Sequence, residues 1–172
     1  AHKRSTPEVL NSNQHPLRRG EISRYALSVV DRLQQAGYQA YLVGGCVRDL
    51  LLNLEPKDFD VATSATPEQV RAEFRNARVI GRRFKLVHVH FGREIIEVAT
   101  FRANHPQGDE DEDSNLSSRN ESGRILRDNV YGSLEDDAQR RDFTINALYL
   151  DASCERILDY ANGVHDIRNR LI

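Results

Sequence analysis

No apolar run in this 172-residue chain approaches the ~18 residues of a membrane span. Nothing apolar follows the basic residues of the opening AHKRSTPEVLNSNQHP, so a secretion signal is not expected. The two cysteines, Cys46 and Cys154, are too few for a disulfide framework and wrongly spaced for zinc. A reducing, cytoplasmic setting with two inert thiols and no membrane partner is the expectation. No segment repeats. The formal net charge of −2 argues at first against a nucleic-acid partner.

That small charge is an average. Residues 104–122, NHPQGDEDEDSNLSSRNES, hold six acids and one arginine, which leaves the rest of the chain at +3. A core segment could not bury six acids, so a disordered acidic loop is expected there. Basic groups cluster at Lys3–Arg4, Arg18–Arg19, Arg82–Arg83 with Lys85, and Arg140–Arg141. Such clusters support phosphate binding, although ordinary solvated arginines would look the same.

Apolar spacing then orders the chain. Residues 1–20 carry no period and read as a flexible arm. Ile22, Ala26, Val29, Val30 and Leu33 recur at helical spacing, and Gly37 is a natural stop. YQAYLV (38–43) reads as a strand and CVRDLLLNL (46–54) as a short helix with Val47, Leu50, Leu51 and Leu54 inward. DFDVAT (58–63) is a second strand. Thr66, Pro67 and Gln69 make a capping-box start for a helix over 66–76. ARVIG (77–81), FKLVHVHF (84–91) and EIIEVATFR (94–102) read as strands, the last two as an antiparallel pair. Ser133 caps a helix through LEDDAQRR, strands follow at 143–151 and 156–160, and a helical segment begins near NGVHDI. The expected class is α+β, a small mixed sheet with helices packed on it.

Four features carry chemistry. Asp58 and Asp60 are two apart on a strand, so they share a face about 6–7 Å apart. They could simply meet solvent at a strand end; held together, they suit a hard divalent cation, Mg²⁺ or Mn²⁺. Upstream, LVGGCVRD places Gly44 and Gly45 between a strand and a helix, where backbone can approach a triphosphate. Glu97 interrupts an apolar strand and either faces outward or adds a third carboxylate. Last, RRDFTINAL (140–148) offers Arg141 as a planar fork for phosphate, Asp142 as a ribose or arginine acceptor, and Asn146 beside them. His88 and His90 alternate on a strand without an obvious third nitrogen ligand and read as packing.

Gly-Gly-x-Val-Arg-Asp, Lys-Asp-Phe-Asp-Val and Arg-Arg-Asp-Phe-Thr-Ile-Asn-Ala, in that order over residues 22–168, resemble the head domain of class II nucleotidyltransferases. That family holds bacterial poly(A) polymerases and tRNA CCA-adding enzymes. VIGRRFKLVHVHF (79–91) further resembles the poly(A) polymerase branch. The resemblance implies a catalytic head over 21–155, with 156–172 as hinge and start of a helical neck, the chain ending before the rest. It implies Asp58 and Asp60 as metal ligands, with Glu97 completing the catalytic carboxylates unless Glu94 takes that place. It implies Gly44, Gly45, Arg48 and Arg141 at the nucleotide and Asp142 in ribose recognition and activity. The implied reaction is template-independent transfer of AMP from ATP to an RNA 3′ end, with Mg²⁺ as cofactor. CCA addition is the alternative, and an inactive nucleotide- or RNA-binding module is the alternative of another class. The family's base-reading Glu-Asp-x-x-Arg is expected beyond Ile172; EDDAQR (135–140) has one residue too many and precedes the ribose motif.

Overall fold

The computed structural model describes residues 6–103, 131–141, 147–161 and 163–168. The expected acidic loop and Asp142 and Asn146 lie outside these. Among the described residues eight strands form one sheet: β1 (Glu8–Leu10), β2 (Ala40–Val43), β3 (Phe59–Thr63), β4 (Ala77–Ile80), β5 (Leu86–Phe91), β6 (Glu94–Thr100), β7 (Leu148–Asp151) and β8 (Arg156–Asp159). Their spatial order is β1-β8-β7-β2-β3-β6-β5-β4. Only β3 and β6 run parallel, so the sheet is mixed as expected. Five α-helices accompany it among the described residues: α1 (Arg24–Gln35), α2 (Gly45–Leu51), α3 (Pro67–Glu73), α4 (Leu134–Gln139) and α5 (Gly163–Arg168).

Two apolar clusters sit on opposite faces of the sheet. The larger joins Ala26, Val29, Val30 and Leu33 of α1, Val47 and Leu50 of α2 and Val70 of α3 to Leu42, Val61, Val87, Val89, Ile96, Val98 and Leu150. Burying each large aliphatic contributes about 1.5–3 kcal/mol. The smaller joins Leu134 and Ala138 of α4 to Val43, Ala62, Phe101, Tyr149 and Tyr160. On that second face His88, His90, Glu97 and Ala99 stay half-buried. The face is therefore closed around β7 and β2 and more open over β6 and β5.

Local chemistry sets the helix ends. The Ser23 side chain accepts from Tyr25 N and Ala26 N at the start of α1, and Tyr38 N donates to Leu33 O (3.0 Å) to close it at Gly37. Thr66 and Gln69 form the reciprocal cap of α3. α2 stops earlier than expected. Asn53 has φ 62, and Asn53 N and Leu54 N donate to Leu50 O and Asp49 O (3.0 and 2.8 Å), a closing motif that ends the helix at Leu51. Leu54 then lies 55% exposed rather than inward.

Residues 6–20 differ most from expectation. Glu8–Leu10 add an edge strand to β8, with Val9 opposite Leu158. His15 is buried, with Nε2 2.6 Å from Glu155 O, and Nδ1 accepts from Leu17 N (3.1 Å). Leu17 is buried, and Arg19 pairs with Asp31 at 2.9 Å. The partners on β8 and at Glu155 lie more than a hundred residues away, so local periodicity carried no trace of them. At the other end Asp159, also buried, accepts from Ala161 N, Gly163 N and Val164 N and thereby caps α5. Among the described residues no helix is long and apolar enough to cross a membrane.

Candidate active site

Val43, the last residue of β2, lies opposite Asp60. Gly44 follows it, so the Gly44–Gly45 turn and the acidic start of β3 share one edge of the sheet. Gly44 adopts φ 76, ψ −141, a conformation that side chains resist. A Cβ on Gly45 would lie 3.3 Å from Arg48 Nη2, and Arg48 Nε donates to Asp49 Oδ1 at 2.9 Å. Burial pushes the Cys46 thiol up to about 12, which makes it a packing group and no nucleophile.

One row of residues crosses five strands. Tyr149 faces Val43, Val43 faces Asp60, Asp60 faces Glu97 and Glu97 faces His88. Paired residues project to the same side, and adjacent strands lie about 5 Å apart, so Asp60 and Glu97 are immediate neighbours. Asp58 precedes the first residue of β3 and is exposed. Burial, then Glu97, then Asp58 raise the Asp60 carboxyl from its ordinary 3.8 to about 6, against the pull of Arg141 and His88. Three acids thus repel one another at the strand start.

Register also separates the two candidate third acids. Glu94 is three residues from Glu97 and so points to the opposite face. There it accepts from Ser23 Oγ at 2.6 Å. Glu97 has His88 Nε2 3.4 Å from its Oε1.

Arg141 reaches the same region from the end of α4. Its Nε donates to Asp137 Oδ2 and lies within 3.0 Å of Tyr149 Oη, and its Nη2 is 3.0 Å from Asp137 Oδ2. Tyr149 Oη in turn donates to Asp137 at 2.8 Å. Farther along this side, the Arg102 guanidinium lies 3.8 Å from the centre of the exposed Phe84 ring. Gly81, at φ 93, shapes the turn that presents Phe84: a Cβ there would come 2.6 Å from Phe84 O.

Among the described residues no three His, Cys, Asp or Glu side chains stand close enough to hold an ion unaided. The donor chemistry nevertheless fits Mg²⁺, which is bound through one or two carboxylates with phosphate oxygens and water completing its shell. Asp58 and Asp60 are the ligands such an ion would meet, with Glu97 beside them. Its charge would relieve the repulsion that raises the Asp60 carboxyl.

Residues 40–172 match the model of the poly(A) polymerase head domain. The chain belongs to that family. It is 56% identical over 164 residues to poly(A) polymerase I of Salmonella typhimurium, covering 95% of this chain and 35% of that protein. It is 37% identical over 152 residues to the CCA-adding enzyme of Lactobacillus delbrueckii subsp. bulgaricus, covering 88% and 35%. The fold matches the crystal structure of the Bacillus stearothermophilus CCA-adding enzyme in complex with CTP at a TM-score of 0.65 and 36% identity, covering 84% of this chain and 31% of that one. The chain therefore spans about a third of the length of the curated relatives it matches.

Within this poly(A) polymerase head domain, the structure brings Asp58, Asp60, Glu97, Arg141 and the Gly44–Gly45 turn to one side of the sheet, with Arg48 one helical turn along α2. Asp142 lies outside the described residues. Sequence reasoning passed over Asp137, Tyr149 and Arg102. Asp137 sits in the stretch EDDAQR that was set aside as a poor base-reading motif. The available signal was an acid three and four residues before two arginines on a helix, the spacing at which side chains meet.

Proposed function

We propose that the chain is the catalytic head of a template-independent polynucleotide adenylyltransferase that adds AMP from ATP to RNA 3′ ends. The observation that carries this is the register of Asp60 against Glu97, with Asp58 upstream and the glycine turn at the same sheet edge. Higher identity to poly(A) polymerase I than to the CCA-adding enzyme favours adenylation over CCA addition.

In the reaction the RNA 3′-hydroxyl gives up its proton to solvent, its oxygen bonds to the α-phosphorus of ATP, the bond from that phosphorus to the bridging oxygen breaks, and pyrophosphate leaves with the electron pair of that bond. Bound Mg²⁺ would supply Lewis acidity that lowers the pKa of the 3′-hydroxyl and offsets the charge on the leaving group. Asp58 and Asp60 would hold the cation, and Glu97, with His88 Nε2 3.4 Å from its Oε1, would complete the negative field around it. Gly44 and Gly45 let backbone approach the triphosphate. Arg141 aims its planar donors at the phosphates, with Arg48 assisting from α2, and Asp142 accepts from the ribose. We place the head at residues 21–155 and the hinge from 156 onward, where Asp159 caps α5. A free, exposed Cys154 and a buried Cys46 thiol accord with a reducing cytoplasm.

The test uses the full-length protein on RNA with ATP, and on tRNA lacking its 3′ end with CTP and ATP together. Long A-only tails are the expected result. Addition of C, C and A followed by arrest would move the chain to CCA repair. ATP binding with no incorporation on either RNA would make it an inactive binding module.

A further inference from the structure

A buried carboxylate with several charged partners lies on the same side of the sheet as the proposed metal ligands. Asp137, in α4, is 1% exposed. Its Oδ1 accepts from Arg102 N (3.1 Å) and from Arg140 Nε and Nη2 (3.2 and 2.9 Å). Its Oδ2 accepts from Arg141 Nε (3.0 Å) and Tyr149 Oη (2.8 Å). Burial alone would push this carboxyl up, yet Arg141, Arg140, the Tyr149 hydroxyl and the Arg102 N–H outweigh it and hold it below the ordinary range.

The direction of these bonds matters more than their number. A guanidinium has five N–H donors in a rigid plane. Asp137 Oδ2 engages Arg141 along its Nε–Nη2 edge. The Tyr149 hydroxyl lies 3.0 Å from the same Nε, and the Tyr149 ring centre is 5.6 Å from the guanidinium carbon. One edge and the ring together fix the plane of Arg141. The opposite, Nη1-bearing edge is not used by these contacts. Tyr149 stands in the same cross-strand row as Asp60, two strands away or about 10 Å. The positive charge of Arg141 is felt at Asp60. A long, flexible side chain is thus held in one orientation at the margin of the acidic site.

We propose that Asp137, with Tyr149, is a positioning residue: it clamps one edge of Arg141 so that the other edge is presented ready-made to the triphosphate of the incoming nucleotide. This rests on the adenylyltransferase reading above. Asp137 touches neither substrate nor metal. Its contribution is preorganisation, because Arg141 need not be ordered when the nucleotide binds.

The experiment is a double-mutant cycle in the full-length enzyme, with Asp137→Asn, Arg141→Ala and the pair together. KM and kcat for ATP and a directly titrated dissociation constant for Mg·ATP are the readouts. Asn keeps the shape of Asp137 but loses its charge and offers one acceptor oxygen where Arg141 and Tyr149 use Oδ2 and Arg140 and Arg102 N use Oδ1. Asp137→Asn is expected to weaken ATP binding at least tenfold, mainly in KM, and to add less than twofold in the Arg141→Ala background. A merely structural Asp137 would lower the melting temperature with KM and the ATP dissociation constant unchanged, or would give effects that multiply with those of Arg141→Ala; either result overturns the proposal. Should Asp137→Asn fail to fold, Tyr149→Phe, which keeps the ring and removes the hydroxyl from both partners, is expected to weaken ATP binding about threefold, again only when Arg141 is present. Unchanged ATP binding in that variant overturns the proposal. A wild-type enzyme that neither binds ATP nor adds nucleotides would instead sink the adenylyltransferase reading, and this inference with it. An active wild type with an additive cycle would sink only the positioning role.

Discussion

Replacing Asp60 with asparagine should make the metal-free protein more stable. Burial, Glu97 and Asp58 move this carboxyl from 3.8 to about 6. The folded protein therefore holds the Asp60 proton more tightly than the unfolded chain does. Between pH 3.8 and about 6 stability falls as pH rises. Above that window the penalty is complete, and below it the penalty is absent. The full displacement corresponds to about 3 kcal/mol. Asp60 is partly open to water, so screening reduces the figure to about 1–2 kcal/mol. In EDTA at pH 8, Asp60→Asn should raise the melting midpoint by roughly 2–8 °C. The gain should vanish near pH 4. Millimolar Mg²⁺ should raise the midpoint of the wild type and leave that of Asp60→Asn where it was. Urea or thermal melts across this pH range provide the assay. A less stable Asp60→Asn at pH 8 would show that Asp60 holds the fold together, and the idea of an acid kept under repulsion for a cation would be wrong.

Other outcomes follow from the same geometry. His15 is held neutral, with its pKa lowered chiefly by burial, so stability is complete above its ordinary 6.5 and is lost as pH falls through the lowered folded value. Gln can imitate both hydrogen bonds, and His15→Gln should flatten that acid loss in urea melts at pH 7.5 and 5. His15→Ala should cost about 1–3 kcal/mol by leaving Glu155 O and Leu17 N unpaired. Gly81→Ala should cost at least about 2 kcal/mol in chemical denaturation, from left-handed backbone and the close approach to Phe84 O.

The elements legible in the sequence are those whose causes are local. Thr66 and Gln69 cap α3 three residues apart, and the apolar stripe of α1 needs only its own helix to be seen. The acids and glycine turn were equally visible, because the spacing of Asp58 and Asp60 and the order strand, turn, helix, strand are written in consecutive residues. What sequence could not decide was cross-strand register. Glu94 and Glu97 are alike in one strand, and only the pairing of β3 with β6 brings Glu97 to Asp60 and leaves Glu94 to Ser23. The edge strand at Glu8–Leu10 and the buried His15 depend on β8 and Glu155, more than a hundred residues away. Asp137 stood in the stretch LEDDAQRR, read as a helix with no role given to that acid. Its burial comes from Tyr149 and the Arg102 backbone, both supplied by other parts of the chain.

The most direct test of the acidic site is nucleotide addition by the full-length enzyme carrying Asp60→Ala, assayed with Mg²⁺ and again with Mn²⁺ on RNA and ATP after its fold has been checked by circular dichroism. A folded protein with addition reduced at least a thousandfold in both metals is the predicted result; turnover within a few-fold of wild type would contradict the assignment of Asp60 as a metal-holding carboxylate.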